Sequence, residues 1–173
     1  MKYIEPLFRP PAEAESLIFQ VAYGCPHNTC RFCGMYKTVK YRLRPEAEVL
    51  DEIRDAGRKY PDVRRIFLAD GDVMAMPFER LVRILDEINR NFPRLARIDM
   101  YANGSSIMLK TVAQLRVMRE RKVHTLYMGL EKTGPDDPVS EARTEAYYRK
   151  RPCSELCALA AGILEKYLDH EIP

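Results

Sequence analysis

Three cysteines within nine positions are the residues of this sequence with the clearest chemistry. Cys25, Cys30 and Cys33 form a CxxxxCxxC pattern in the segment Gly24-Cys-Pro-His-Asn-Thr-Cys-Arg-Phe-Cys-Gly-Met-Tyr36. Thiols packed this closely usually share a metal, and three thiolates on a short loop can hold one face of an iron–sulfur cube. One iron of such a cube then lacks a protein ligand and is open to a substrate.

Two other metal sites use similar cysteines. A plant-type [2Fe–2S] ferredoxin has the same spacing and a fourth cysteine nearby, whereas the next cysteine here is Cys153. Zinc is the second alternative, because His27 could join the three thiols in a Cys₃His site. A histidine between two closely spaced ligands reaches the same metal only with strain. We therefore interpret His27 as a loop residue or as a hydrogen-bond donor that is not itself a metal ligand. The spacing alone leaves all three sites open.

The composition describes an ordinary water-soluble domain. The chain has 173 residues, 46% of them hydrophobic and 31% charged, with a formal net charge of +3. This charge is too small for a nucleic-acid footprint, and no apolar run approaches the roughly 18 residues that cross a membrane. The N-terminus has no signal-peptide pattern. We therefore expect a cytoplasmic protein in which the thiols stay reduced.

Short apolar runs alternate with amphipathic segments along the first three quarters of the chain. We predict strands over 17–23, 65–69, 97–102 and 124–128. Between them lie one predicted helix beginning near Pro45, a second containing Leu81 to Ile88, and a third over 112–120. This alternation predicts an α/β fold with a parallel sheet. Ligands gather at the carboxyl ends of such strands, and the cysteines follow the first one.

The cysteine segment resembles that of the radical S-adenosylmethionine (radical SAM) superfamily. That family usually has CxxxCxxC with an aromatic residue before the last cysteine, which is the place of Phe32, and the first interval here is one residue longer. Three further elements match in order. They are Asp70-Gly71-Asp72 after the second strand, Asn103-Gly-Ser-Ser106 after the third, and Gly129-Leu-Glu131 after the fourth. The last is similar to the branch that includes oxygen-independent coproporphyrinogen oxidases and methylthiotransferases.

The resemblance implies two cofactors, a [4Fe-4S] cluster and S-adenosylmethionine (SAM). The implied cluster ligands are Cys25, Cys30 and Cys33. The implied SAM-binding residues are Phe32 at the adenine, Asp70, Gly71 and Asp72 near the methionine amino group, and Asn103, Ser105 and Glu131 at other polar groups. The implied reaction is reductive cleavage of SAM to a 5′-deoxyadenosyl radical that takes a hydrogen atom from a substrate. An electron donor of the flavodoxin or ferredoxin type is implied as the partner.

The same resemblance predicts how the chain is organised. We expect an irregular lead-in over 1–16, a partial TIM-type barrel of about four βα units over 17–134, and a polar segment with a final helix over 135–173. A complete TIM-type barrel takes ~250 residues, so a cluster-binding module without catalysis is a second hypothesis. An exposed edge at the fourth strand would favour oligomers. Cys153 and Cys157 are interpreted as packing residues.

Overall fold

The computed structural model describes residues 3–28, 33 and 35–129. The strands are β1 (Leu17–Gln20), β2 (Ala22–Tyr23), β3 (Arg42–Leu43), β4 (Arg65–Ala69), β5 (Arg97–Tyr101) and β6 (Val123–Tyr127). The helices are α1 (Glu46–Lys59), α2 (Phe78–Asn91), α3 (Gly104–Met108) and α4 (Val112–Glu120). The boundary predicted at residue 134 and the predicted final helix lie outside these residues.

Four strands form one parallel sheet in the order β1-β4-β5-β6. Leu17 pairs with Ile66, and Arg65 pairs with Arg97 in the next strand along. Helices connect the strands, so the predicted α/β fold with βα units is confirmed. In the part of the chain that the structure describes, the sheet is open and its edge strands are β1 and β6.

The core lies between one face of this sheet and the helices. Successive strand residues point to opposite faces, and Ile66 and Leu68 of β4 face helix α2, whose apolar stripe is fully buried. The buried residues of that stripe are Leu81, Ile84, Leu85 and Ile88. Each large aliphatic side chain buried in this way contributes about 1.5–3 kcal/mol. The predicted helix around these residues is confirmed.

The face of the sheet opposite the helices, here called its inner face, is lined by aromatic rings. Phe67 and Tyr101 stand edge to face, with ring centroids 5.2 Å apart, and Tyr127 lies 6.1 Å from Phe67. The Tyr127 hydroxyl donates a hydrogen bond of 2.6 Å to Glu13, which is fully buried and belongs to a 3-10 turn over Pro11–Glu13. The predicted irregular lead-in therefore includes a segment that packs on the inner face of the sheet.

The first predicted strand is divided in the structure. Residues 17–20 belong to the parallel sheet, and the Val21 amide still donates to Ala69 across 2.8 Å. The chain then leaves this sheet, and Ala22–Tyr23 pairs antiparallel with Arg42–Leu43. The single strand predicted over 17–23 is thus wrong, because two of its residues pair with a partner twenty residues away.

The segment Asn103 to Ser106 is the second difference from the predicted elements. It begins helix α3, for which the Asn103 side chain accepts a hydrogen bond of 2.9 Å from the Ser105 amide. Asparagine is a favoured N-cap because its oxygen satisfies an amide that the helix leaves unpaired.

No helix within 3–28 or 35–129 is long and apolar enough to cross a membrane.

Candidate functional site

Residues 24–41, the cysteine loop, begin and end at the short β2–β3 ladder. Gly24 has a positive φ of 73°, and a Cβ atom there would lie 2.9 Å from the Val39 carbonyl oxygen. Glycine accepts this conformation without the steric cost that other residues incur. Inside the loop, the side-chain amide of Asn28 donates to the Tyr36 carbonyl across 2.7 Å. The ladder thus holds the two ends of the cysteine loop together, and this bond connects two residues within it.

Cys25 packs directly against Gly71, the second residue after β4. A Cβ atom on Gly71 would lie 2.4 Å from the Cys25 Cβ atom and 2.7 Å from the Gly24 carbonyl oxygen. Real side chains do not approach so closely, so Gly71 is needed at this contact. The cysteine loop therefore lies against the loop that leaves the second strand of the parallel sheet.

Cys33 lies near Tyr101, at the carboxyl end of β5, the strand beside β4. Burial, and to a smaller extent the nearby Cys33 side chain, raise the pKa of Tyr101, the last residue of β5, to about 12. Burial, Asp72 and Cys25 together raise the pKa of Tyr41. Both cysteines are half-buried, and they lie at the carboxyl ends of β4 and β5. This edge is where ligands bind in parallel sheets.

Asp70 is buried at the end of β4, and protein groups bind both of its carboxylate oxygens. Tyr36 donates to one oxygen across 2.9 Å and Gln20 donates to the other across 2.8 Å. Gln20 in turn exchanges two hydrogen bonds with the backbone of Ile4. Burial raises the pKa of Asp70 to about 6, although both hydrogen bonds act in the opposite direction. The Asp70 carboxylate thus joins the cysteine loop, β1 and the lead-in.

Asp72 connects three loops at the same edge. Its Oδ2 atom accepts a hydrogen bond of 2.6 Å from Ser106 and lies 3.0 Å from His27 Nε2. Its Oδ1 atom accepts from the Asn103 amide across 3.3 Å. His27 Nε2 also lies 3.2 Å from the Ser106 hydroxyl. The loop after β4 therefore meets both the cysteine loop and the start of α3.

The structure brings most of the described predicted residues to one edge, though in different roles. Gly71 contacts Cys25, and the carboxylate of the adjacent Asp72 accepts a hydrogen bond from the Asn103 backbone amide. Ser105 is exposed, and its hydroxyl donates a hydrogen bond of 2.8 Å to the side-chain oxygen of Asn103. The predicted site residues Cys30, Phe32 and Glu131 lie outside the described residues.

Sequence reasoning missed three residues that contact the predicted ones, which are Gln20, Tyr36 and Ser106. His27, interpreted from the sequence as a loop residue or a donor outside the metal ligands, lies 3.0 Å from Asp72. Gln20 carries a usable signal, because a polar residue inside an apolar strand needs a buried partner. Tyr36 and Ser106 carry none, since nothing in the spacing distinguishes Ser106 from Ser105.

The donor chemistry of the described residues fits an iron–sulfur site better than a hard-metal site. Thiolates are soft ligands that favour such clusters, and Cys25 and Cys33 supply two of them. No group of three His, Cys, Asp or Glu side chains suited to a metal occurs within 3–28, 33 and 35–129. The third predicted thiol, Cys30, lies outside that part of the chain.

Parallel βα units with a cysteine loop at their carboxyl edge define the class of this protein. The family model of the Radical SAM superfamily matches residues 19–154, and the chain therefore belongs to this superfamily. Membership indicates chemistry that begins with radical cleavage of SAM, which members typically perform with a [4Fe-4S] cluster. Among curated proteins, none matches this sequence.

Proposed function

We propose that this chain binds a [4Fe-4S] cluster through Cys25, Cys30 and Cys33 and catalyses reductive cleavage of SAM. The observation that supports this most directly is the contact of Cys25 with Gly71. It joins the cysteine loop to the loop after β4, the one that the resemblance assigns to the SAM methionine. Ligands for the cluster and groups for SAM would thus belong to adjacent loops.

When bound and reduced, the cluster supplies the single electron that divides SAM into methionine and a 5′-deoxyadenosyl radical. The role of this chain's residues is to position the cofactors and to exclude water. Gly71 leaves room for Cys25. The Tyr36 ring of the cysteine loop packs against the Phe8 ring of the lead-in, with ring centroids 5.4 Å apart. The aromatic rings of Tyr101 and Tyr127 would line the space below the site, where a substrate would meet the radical.

The SAM contacts are proposed residue by residue. Phe32 would pack on the adenine, and Asn103, Ser105 and Glu131 would meet polar groups of the cofactor. Asp70, Gly71 and Asp72 would contribute through backbone groups, because the two carboxylates already have protein partners. A small one-electron carrier of the flavodoxin or ferredoxin type would supply the electron.

Anaerobic reconstitution with iron and sulfide tests the proposal. We expect about four irons per chain, and 5′-deoxyadenosine when dithionite and SAM are added. The Cys30→Ala variant should yield neither. Iron uptake without 5′-deoxyadenosine would indicate a cluster-binding module without catalysis, and stoichiometric zinc without iron uptake would overturn the cluster itself.

A further inference from the structure

We propose that His27 is a positioning residue that sets the cysteine loop against the SAM-binding loops through its contacts with Ser106 and Asp72. The inference rests on the proposed function and deepens it. In this proposal the Asp72 carboxylate binds other protein groups and not SAM, whereas the resemblance implied Asp72 as a SAM-binding residue. It also gives His27 a role other than metal ligation.

The geometry around Asp72 supports this assignment. The Asp72 side chain is 2% exposed, so its charge is stable only with hydrogen-bond partners. Ser106 and His27 both approach Oδ2, at 2.6 and 3.0 Å, and the Asn103 amide binds Oδ1. These partners belong to three segments of the chain and reach both carboxylate oxygens. Because the side chain is also 2% exposed, the Asp72 carboxylate is turned towards protein groups and away from the open edge where SAM would bind.

Hydrogen-bond roles then determine the tautomer of His27. Ser106 donates its own proton to Asp72, so the Ser106 oxygen can only accept from His27 Nε2, which therefore carries the ring proton. The same Nε2 atom lies 3.0 Å from Asp72 Oδ2. A protonated Nε2 has no lone pair for a metal. The Cys₃His zinc site considered from the sequence would require His27 to break this bond or to use Nδ1.

The position of His27 in the chain explains why the bond matters. His27 lies two residues after Cys25, inside the interval that is one residue longer than the usual family spacing. Through Asp72 it connects this interval to the loop after β4, and through Ser106 to the start of α3. A movement of the cysteine loop relative to these loops would change the distance between cluster and SAM. Misplacement by about 1 Å can reduce a reaction rate by roughly a hundredfold.

The inference is tested by comparing four proteins. They are the wild type and the variants His27→Ala, His27→Gln and His124→Ala. His124 lies at the start of β6, at the opposite end of the strands, and serves as the matched histidine control. Each is reconstituted, its iron is counted, and the low-temperature resonance signal of the reduced cluster is titrated with SAM. A separate measurement on the protein without metal follows amide hydrogen exchange over residues 24–41.

We expect His27→Ala to keep its iron but to bind SAM about tenfold more weakly, or about 1.4 kcal/mol, because a displaced cysteine loop no longer aligns the cluster with the SAM-binding loops. Its cysteine loop should exchange faster, while His27→Gln, whose amide can also donate, should recover part of both properties. His124→Ala should match the wild type. Loss of iron in both His27 variants, with exchange over residues 24–41 of the metal-free protein unchanged from the wild type, would identify a metal ligand and overturn the inference.

Failure of the inference is distinguishable from failure of the proposed function. Wild-type protein whose cluster responds to SAM, together with an identical response and identical exchange in His27→Ala, would contradict only the role of His27. Wild-type protein that takes up no iron, or whose cluster signal ignores SAM, would contradict the proposed function and the inference together.

Discussion

Tyr36 donates a hydrogen bond to Asp70 across 2.9 Å and thereby joins the cysteine loop to the residue that follows β4. Asp70 is 1% exposed, and Gln20 binds its second oxygen. Burial raises the pKa of this carboxyl to about 6, well above its ordinary value near 4. Keeping Asp70 ionised in the folded protein therefore reduces stability at neutral pH.

The raised pKa predicts a pH dependence of the free energy of unfolding. Between its unfolded and folded pKa values, Asp70 binds more protons in the folded state, so its contribution becomes more favourable as pH falls. Relative to Asp70→Asn, the free energy of unfolding of the wild type should increase by on the order of 1 kcal/mol when the pH falls from 7 to 5. Urea unfolding of both proteins without metal measures this difference. A constant difference over that range would show that Asp70 keeps an ordinary pKa.

The contact between Gly71 and Cys25 predicts a variant with a local defect. A methyl group in Gly71→Ala would lie 2.4 Å from Cys25 Cβ, so the cysteine must move. Overpacking typically costs about 1–3 kcal/mol, and we expect iron retention to weaken roughly tenfold. Iron per folded chain after challenge with a chelator is the measurement.

Two other glycines serve as matched controls for this variant. Gly57→Ala introduces a comparable overlap, 2.7 Å from Asn91 Cβ, between α1 and α2 and away from the cysteines. Gly104→Ala meets no atom within 4 Å. Gly57→Ala should lower stability without loss of iron per folded chain, and Gly104→Ala should keep its iron. Equal iron loss in Gly57→Ala and Gly71→Ala would point to general destabilisation.

The inner face of the sheet predicts a stability effect at Tyr127. Its hydroxyl donates to the buried Glu13 carboxylate, which raises the pKa of Tyr127 to about 12. Tyr127→Phe would remove one donor from a buried acid, at a cost of about 1–3 kcal/mol. Tyr60→Phe, at a half-exposed tyrosine, should change stability little. Equal urea midpoints for the two variants would mean that the bond to Glu13 contributes nothing.

The five cysteines should fall into two classes. We expect Cys→Ala at Cys25, Cys30 or Cys33 to abolish the cluster, because each supplies one of three thiolates. The same change at Cys153 or Cys157 should leave the cluster spectrum intact and cost only modest stability. An iron count on each variant measures this. Loss of additional irons from either of the last two would identify them as ligands of a second site.

Regular elements with strong local patterns were predictable from the sequence. The strand Arg65–Ala69 and the helix Val112–Glu120 have the predicted bounds, because an apolar run and an amphipathic period leave few alternatives. The division of residues 17–23 was not predictable. It depends on a two-residue partner at Arg42–Leu43, and two residues are too few to give a pattern.

The location of the site was also easier to predict than the role of each side chain. Asp70 and Asp72 follow a buried strand, so their place at the carboxyl edge follows from topology. Their hydrogen-bond partners come from distant positions, including Gln20 fifty residues earlier and Ser106 thirty-four residues later. Which oxygen meets which donor depends on the folded arrangement of these segments, and no local pattern encodes it.

The central claim is that one site holds both the cluster and SAM. Low-temperature resonance of the reconstituted, reduced protein before and after addition of SAM tests it most directly. We predict an iron–sulfur signal that changes on SAM addition and is absent from Cys30→Ala. An iron–sulfur signal that stays unchanged at saturating SAM, with no 5′-deoxyadenosine formed, would contradict the claim.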